Sequence, residues 1–563
     1  METIANEDVR VWDNSNIAES YSGVVLPLTC SFARHIYKIA YMAVAKTSGV
    51  SSRKIMENIG VFDNLLGFFY GRFYYNMLNW YKMLTLFPGY ERNRKNLNIM
   101  ISAKSKADLN RRYKNNVSVY FKLDYSIRTF IRYIFFESSL KRFKKKVRSY
   151  LKEIRQIDFE SKRIPQLLSL YREFNRELLG RWSVTLDNDF LAMTFFGALK
   201  KFCKKNKLQE ERTLSLISEI SNVVSARQVE ALERLSKQFS KFPELASVDE
   251  KQYLVCYKKI QENRKYLRLK GDIQMYVEMY GGRFANELRL ETEDLDENPA
   301  HLIRLLQLYS SKNEGFEKQE LNQKALRDIK LLFYKKIILN YLVKKTKHFL
   351  RHREELRLMR SQAFSYARKL FKSIGIRFQE QSIIETANDI FYLELSEILD
   401  FMEGKSSSTN FEELVNIRKK QYEEYKKIEL PRVFVTHGDP YRSLYEKIMK
   451  KKERIEEIKT LKGTGCSPGR IKGKVKILES FVLPRKEKYQ IIVTKHTDPG
   501  WTPLFGLCEG IIVEHGGLLS HAAIVSRELG LPCVVGVDAV TNILKDGQTV
   551  ILDGSNGVIQ IEH

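Results

Sequence analysis

The stretch that decides the fold of the C-terminal part is Gly516–Gly536, GGLLSHAAIVSRELGLPCVVG. It follows the apolar β-branched run Ile511-Ile512-Val513, which is typical of a buried strand. Ser520 is a good N-cap, because its hydroxyl can accept an amide hydrogen bond in the first helical turn. Gly530 supplies a C′ residue at the other end. The pattern therefore predicts a strand, a glycine turn and a helix, with His521 in the first turn of that helix.

His521 in this position has the chemistry of a phosphoryl acceptor. Its imidazole has a reference pKa of about 6.5, so it is a competent neutral nucleophile near neutral pH. Once phosphorylated it carries negative charge, which the free amides and the dipole at a helix N-terminus stabilise. Ser520 adds a hydroxyl, and Gly516 and Gly517 allow the backbone to approach closely. The alternative is that His521 is a structural residue of the first turn, and the local pattern alone does not decide between the two.

Gly516–Gly536 resembles the phosphohistidine segment of the PEP-utilising enzymes, a family that includes PEP synthase, pyruvate phosphate dikinase, glucan water dikinase and rifampin phosphotransferase. Other segments resemble the entry motif, the TDP-x-W-x-P turn and the closing hairpin of the same mobile domain: Gly465–Gly469 with Gly473–Val475, Thr497–Pro503, and Asp553–Val558. The resemblance implies that His521 carries the phosphoryl group. Together with His521 we assign four residues that stabilise the phosphoryl group: Ser520, Gly516, Gly517 and Arg527.

The composition of the chain changes at about residue 460. Before it, apolar residues recur at helical spacing, as in Ala325–Leu350 and Glu354–Ile374, and a serine-rich break at Lys405–Asn410 separates two helices. After it, short runs alternate with turns and predict strands at Lys474–Leu478, Gln490–Lys495, Gly510–Glu514, Cys533–Val537, Thr549–Asp553 and Val558–Glu562.

This change predicts a multidomain α plus α/β protein. Residues 1–460 form a large, mainly helical acceptor-binding domain, and residues 461–563 form a swivelling β/α phosphohistidine domain. A hinge is expected where the charged helix Tyr441–Thr460 meets Gly463-Thr464-Gly465, since glycine permits chain reversals.

The N-terminal region has a weaker resemblance to the helical, acceptor-binding region of PEP-synthase-like phosphotransferases. The segments that carry it are Ser20–Phe32, Phe69–Tyr90, Tyr280–Leu288 and Asp389–Leu393. Family members often read Gly-His-Arg-Gly where this chain has Gly281-Gly282-Arg283-Phe284, so a histidine is lost and the acceptor or its activation differs. We assign Arg72, Tyr75, Asn76 and Arg283 as acceptor-binding residues. The aromatic segment Phe68–Tyr81 either lines the substrate or forms ordinary helix core.

Neither phosphoryl-donor site of the family is visible. The ATP route uses an ATP-grasp domain ahead of the helical region, the PEP route uses a barrel after the phosphohistidine domain, and no GxxxxGK[ST] loop is present. We therefore expect Mg²⁺ and ATP to bind at a partner site on a separate ATP-grasp subunit, and a small-molecule acceptor to bind this chain. A degenerate or truncated protein is the alternative.

The net charge of +27 lies almost wholly on residues 1–460, because residues 461–563 carry 11 Lys and Arg against 10 Asp and Glu. Dense patches at Lys141–Lys146 and Lys447–Arg454 favour an anionic partner, such as an acidic donor subunit, or they are solvated helix faces. Interleaved aromatics and lysines around Tyr113–Lys146 allow a nucleic-acid-binding protein, although no recognised motif for it appears.

Two further alternatives are a non-catalytic regulator phosphorylated at His521 and a zinc site built from His496, His515, His521 and Cys508. The zinc site lacks compact ligand spacing, and no metal site is predicted. Six scattered cysteines argue against a disulfide framework, and neither a secretory signal nor a long apolar run is seen, so we expect a cytoplasmic protein without membrane partners.

Overall fold

The computed structural model describes residues 9–88, 90, 94, 118–208, 216–217, 224–310, 331–442, 444, 460–484, 489–518 and 520–562. The chain divides into two compact units. The first takes in residues 1–187, 288–291 and 363–453, and the second takes in residues 188–287, 292–362 and 454–563. The second unit thus joins part of the helical region to the C-terminal sheet. The functional division into residues 1–460 and 461–563 stays a prediction.

The first unit is mainly helical and contains a four-stranded antiparallel sheet of order β2-β3-β1-β4. The strands are β1 (Val9–Asp13), β2 (Leu66–Phe69), β3 (Arg72–Asn76) and β4 (Val433–His437). The helices that lie wholly in this unit are Pro27–Thr47, Ser52–Glu57, Ile59–Asp63, Met77–Thr85, Val119–Ile154, Ile164–Glu177, Leu395–Met402 and Glu412–Lys426. The helices Ser183–Lys205 and Phe333–Glu380 contribute residues to both units.

The aromatic segment Phe68–Tyr81 is not a continuous helix. This corrects the interpretation of the segment as ordinary helix core. It forms the hairpin β2–β3 followed by the helix Met77–Thr85. Tyr70 and Gly71 form the two-residue turn with φ of 43° and 73°, the left-handed geometry that a tight hairpin requires. Glycine is required at the second position, since a Cβ at Gly71 would overlap Val24 Cγ1.

The two predicted helices Ala325–Leu350 and Glu354–Ile374 are one helix, Phe333–Glu380. The intervening residues contain neither glycine nor proline, so nothing interrupts the backbone hydrogen bonds there. Residues 325–330 lie outside the described residues. The serine-rich break was predicted correctly and separates Leu395–Met402 from Glu412–Lys426.

The second unit contains the helices Val224–Phe239, Pro243–Ala246, Tyr253–Glu262, Leu267–Tyr280 and Ala300–Ser310, together with the C-terminal sheet. The sheet has eight strands in the order β5-β12-β11-β7-β8-β9-β10-β6. They are β5 (Thr460–Lys462), β6 (Thr464–Ser467), β7 (Arg470–Leu478), β8 (Tyr489–Thr494), β9 (Cys508–Val513), β10 (Cys533–Val535), β11 (Thr549–Asp553) and β12 (Val558–Ile561). The short helices Thr502–Phe505 and Val540–Ile543 and the longer His521–Leu529 connect them.

Six of these strands match the predicted ones closely, and β5 and β6 were not predicted. Of the glycines that we assigned to a hinge, Gly463 lies between these two strands and Gly465 lies in β6. Gly463 donates a backbone hydrogen bond to Gly557 O (2.8 Å), and a Cβ at Gly465 would lie 2.6 Å from Gly554 O. Both glycines are therefore packed against neighbouring strands, and a hinge at the junction between the charged helix and Gly463–Gly465 stays a prediction. The charged helix predicted ahead of them falls mainly on residues outside the described ranges.

Strands β7, β8, β9 and β10 run parallel, and their alternating side chains form hydrophobic cores on both faces of the sheet. Ile492 and Ile511 face one core, and Ile491 and Ile512 face the other. The first core is continuous with the helices of the second unit, including Leu232 of Val224–Phe239. In this shared core the C-terminal sheet packs against helical residues of the second unit.

The basic patch Lys141–Lys146 is only partly a charged face. Lys144 is buried, and Lys146 forms an ion pair with Glu177. The patch Lys447–Arg454 and residues 113–117 lie outside the described residues. In the part of the chain that the structure describes, no helix is long and apolar enough to cross a membrane.

Candidate functional site

The helix His521–Leu529 begins and ends as predicted. Ser520 caps it, and its Oγ accepts a hydrogen bond from Ala523 N at 3.4 Å. At the other end Gly530 adopts the left-handed conformation with φ of 70°, and Leu531 N donates to Ser526 O. The prediction that His521 lies in the first turn of a helix capped by Ser520 is confirmed.

Two loops meet at His521 because both follow the carboxyl ends of neighbouring parallel strands. The turn Thr497–Pro503 follows β8, and the loop to His521 follows β9. Loops at the carboxyl ends of adjacent parallel strands lie at the same edge of a sheet. The turn thus brings Thr502 to His521, with 3.4 Å between Thr502 Oγ1 and His521 Nε2.

The imidazole of His521 is 1% exposed, and its ring lies 5.7 Å from that of Phe505. Thr502 Oγ1 donates its proton to Pro499 O at 2.7 Å, so it is available as an acceptor toward Nε2–H. Nδ1 is buried without a hydrogen-bond partner. This arrangement favours a neutral ring protonated on Nε2.

The pKa of His521 is lowered to about 3, mainly by burial; the opposing effect of Glu354 and the smaller lowering by Arg283 and Arg357 are included in this value. At neutral pH the ring is therefore uncharged, which is the nucleophilic form. A phosphoryl donor on another molecule cannot reach a side chain that is 1% exposed. In this structure His521 is thus shielded from molecules in solution.

A buried polar cluster that includes Arg283 lies near His521. Arg283 is fully buried, and its Nη2 contacts Glu354 Oε2 at 3.1 Å and Ser225 Oγ at 3.1 Å. Arg357 Nη1 lies 3.2 Å from the other oxygen, Glu354 Oε1. Burial raises the pKa of Glu354, but Arg357 and Arg283 outweigh it and hold the value at about 2. The carboxylate is therefore ionised and both of its oxygens are engaged.

One donor of this cluster has no acceptor. Arg283 Nη1 is buried without a hydrogen-bond partner, as is His521 Nδ1. Unsatisfied buried polar atoms are costly, so the unpartnered Arg283 Nη1 marks this cluster as a candidate ligand site. The sequence had singled out Arg283 but missed Glu354, Arg357, Ser225 and Thr502. Of these, Thr502 could have been found from its place in the TDPGWTP turn.

The other phosphoryl-stabilising assignments lie around the loop that leads to His521. Gly516 has φ of 134°, which favours glycine, and Gly517 O accepts a hydrogen bond from Ser520 N at 2.9 Å. Leu519 lies outside the described residues. Arg527 is buried, and its guanidinium donates to Cys466 O (2.6 Å) and Leu518 O (2.5 Å). It therefore ties this loop to β6, and a direct role toward a phosphoryl group stays a prediction.

The remaining acceptor-binding assignments, Arg72, Tyr75 and Asn76, lie in the first unit. Arg72 Nη1 donates to the carbonyl oxygens of Tyr70 and Tyr425, both at 3.1 Å. The ring of Tyr75 is buried edge-on to that of Trp80 (5.1 Å). Asn76 caps the helix Met77–Thr85. Each has a structural contact, so contact with an acceptor stays a prediction.

The four residues of the zinc alternative do not come together. Among the described residues, no group of three potential ligands forms from His496, His515, His521 and Cys508. His496 and His515 are 6.4 Å apart between ring centroids, and Cys508 Sγ points to Phe505 O. The structure thus gives no support to a zinc site there.

Two family descriptions match the chain. Residues 486–557 match the mobile domain of PEP-utilising enzymes. Residues 187–354 match the fourth domain of rifampicin phosphotransferase. Both matches lie almost entirely in the second unit, and the first of them contains His521.

Curated relatives agree with these matches. The chain is 28% identical over 314 residues to a rifampicin phosphotransferase of Bacillus cereus, which covers 52% of this chain and 34% of that one. It is 32% identical over 198 residues to a rifampicin phosphotransferase of Bacillus subtilis, covering 35% and 22%. It is 24% identical over 304 residues to the prodigiosin synthesizing transferase PigC of Serratia marcescens, covering 52% and 33%. The matched part is about a third or less of the length of these relatives.

Proposed function

We propose that this chain is a phosphotransferase component in which His521 carries a phosphoryl group from an ATP-derived donor to a small-molecule acceptor. One observation carries the proposal. A neutral histidine at a helix N-terminus, within the segment that matches the PEP-utilising mobile domain, lies beside the buried Arg283–Glu354 pair. Phosphoryl transfer depends mainly on positioning and on charge neutralisation, and these residues supply both.

The chemistry of each transfer follows from the ring. An imidazole nitrogen attacks a phosphorus atom of the donor, the N–P bond forms, and the P–O bond to the leaving group breaks. In the resembling family the histidine takes the β-phosphoryl group of ATP: attack on the β-phosphorus releases AMP, and water then cleaves the bond to the γ-phosphoryl group and releases it as inorganic phosphate. An acceptor oxygen then attacks the phosphorus, and the N–P bond breaks to restore neutral His521. In this proposal Arg283, whose Nη1 is buried without a hydrogen-bond partner, stabilises the anionic oxygens during the second transfer.

A phosphoryl-donor site must bind Mg²⁺, and the described residues around His521 do not form a suitable Mg²⁺ site. Its carboxylate is Glu354, and both oxygens of that group are already engaged by Arg283 and Arg357. Mg²⁺ prefers oxygen ligands with open positions for water and substrate phosphates. We therefore assign ATP and Mg²⁺ to a separate ATP-grasp subunit, with the acceptor bound on the helical part of this chain.

The test of this proposal follows labelled phosphate. The purified full chain is incubated with MgATP alone, and in parallel with MgATP and a desalted extract of its own cells as the source of donor protein. We expect label on the chain from [β-³²P]ATP only when the extract is present, and none from [γ-³²P]ATP. Label taken up from ATP by the chain alone would show that it contains a nucleotide site of its own. Absence of label from both ATP species would overturn the ATP-derived donor.

A further inference from the structure

Two glycines in the segment after β8 lie directly against atoms of helical residues 188–362. A Cβ built on Gly500 would overlap Phe284 O and would lie 2.6 Å from Ala285 N. A Cβ built on Gly506 would overlap Tyr309 Oη and would lie 2.8 Å from Tyr309 Cζ. At both positions, therefore, this close approach is possible only without a side chain.

A hydrogen bond across the same contact lies next to each glycine. Next to Gly500, Asp498 Oδ2 accepts a hydrogen bond from Asn286 N at 3.2 Å. Next to Gly506, Tyr309 Oη donates to Pro503 O at 2.6 Å. The contact of the segment 498–506 thus combines backbone groups with the side chains of Asp498 and Tyr309, and Thr502 lies within this segment.

Neither glycine is needed by the backbone of its own segment. Gly506 has φ of −70°, and Gly500 lies within the 3₁₀ turn Pro499–Trp501, so both have conformations that alanine adopts. The nearest atoms to both added Cβ positions belong to the helical residues. An alanine at either position would therefore obstruct the contact while leaving the C-terminal sheet intact.

From this geometry we infer that Gly500 and Gly506 are positioning residues that permit the C-terminal segment to dock with His521 against Arg283 and Glu354. The inference rests on the proposed function, in which a carrier must leave this surface to be loaded and return to it to deliver. Docking buries His521, and undocking exposes it to a donor. The two glycines set the balance between these states without touching the reacting atoms.

The test measures exposure of His521 in the full chain with diethyl pyrocarbonate, a small reagent that acylates neutral imidazole. Modification of each histidine is followed by mass spectrometry at neutral pH, with the exposed His437 as internal reference. Overpacking by one methyl group typically shifts an equilibrium by a factor of about 10 or more. We therefore expect Gly500→Ala and Gly506→Ala each to speed the modification of His521 about tenfold, with His437 unchanged. Gly271→Ala is the matched control, since a Cβ there meets nothing within 4 Å.

A second variant, Tyr309→Phe, distinguishes a steric clash at Gly506 from a general destabilisation of the protein. In Tyr309→Phe the hydroxyl that a Cβ at Gly506 would meet is gone, so Gly506→Ala should speed modification less in that background than in the wild type. Equal increases in both backgrounds, or unchanged His521 modification in both glycine variants, would overturn the inference. Wild-type His521 reacting as fast as His437 would do so too. Because the reagent delivers no phosphate, these outcomes are independent of whether His521 is phosphorylated.

Discussion

The protonation of His521 depends on its burial in the folded protein. Its pKa in the folded protein is about 3 and its reference value is 6.5, because burial disfavours the charged ring. As the pH falls below 6.5, this histidine therefore takes up a proton in the unfolded chain but not in the folded one. The free energy of unfolding decreases over that range. Each pH unit below 6.5 costs about 1.4 kcal/mol for a fully buried neutral histidine.

We accordingly expect wild type to lose about 2 kcal/mol more stability than His521→Gln between pH 7 and pH 5. Urea unfolding of both proteins at pH 7, 6 and 5 measures this difference. Glu354 does not contribute in this window, because its pKa is lowered from 4.5 to about 2, so its contribution is lost only as the pH falls below 4.5. His496, whose pKa is also lowered to about 3 by burial, is common to both proteins and cancels. Parallel pH dependences would contradict the burial of His521 as a neutral ring.

The residues around His521 show what a sequence can and cannot predict. His521 and Ser520 were identified because their role depends on a local helix start. Glu354 was missed because its partner Arg283 is 71 residues away, and no local pattern marks a buried ion pair between distant segments. For Arg72 the structure shows hydrogen bonds to main-chain carbonyl oxygens, which the sequence did not predict, and its role toward an acceptor stays a prediction.

At the scale of elements, the helix His521–Leu529 ends at a residue whose conformation can be tested by itself. Gly530 has φ of 70°, and a Cβ there would meet nothing within 4 Å. Gly530→Ala therefore adds backbone strain without a clash, and we expect it to destabilise the protein by about 1 kcal/mol. Gly271→Ala is the matched substitution in the interior of the helix Leu267–Tyr280, where alanine should stabilise by about 0.5–1 kcal/mol.

Urea unfolding of both alanine variants and the wild type measures these changes in stability, a decrease for Gly530→Ala and an increase for Gly271→Ala. If Gly530→Ala is as stable as wild type, the left-handed helix end is not the conformation of the folded protein. A destabilised Gly271→Ala would show that the helix interior is not open at that position.

Elements were predicted well where capping and turn residues bounded them and poorly where the aromatic pattern dominated. The segment Leu66–Asn76 forms a hairpin because Tyr70-Gly71 supplies a two-residue turn. Tyr at the first turn position is unusual, and so the turn was not recognised in the sequence. Strands β5 and β6 were missed since their glycines suggested a flexible link. In the structure those glycines allow close contact between strands.

At the scale of the whole molecule, composition predicted the C-terminal β/α region but not which helices accompany it. The second unit comprises residues 188–287, 292–362 and 454–563, and one continuous core joins its helices between Val224 and Tyr309 to the C-terminal sheet. Amphipathic periodicity shows that a helix buries one face, but not which neighbour covers it. The match of residues 187–354 to the fourth domain of rifampicin phosphotransferase lies on these same helices.

The central claim is that His521 alone carries the phosphoryl group, and mapping the phosphate on the intact chain tests it most directly. The chain labelled in the presence of cell extract and MgATP is digested under alkaline conditions, which preserve phosphohistidine, and the modified residue is located by mass spectrometry. We predict acid-labile phosphate on His521 in wild type and in the matched control His515→Gln, and none in His521→Gln. Phosphate at the wild-type level in His521→Gln, or phosphate located on another residue of the wild-type chain, would contradict the account.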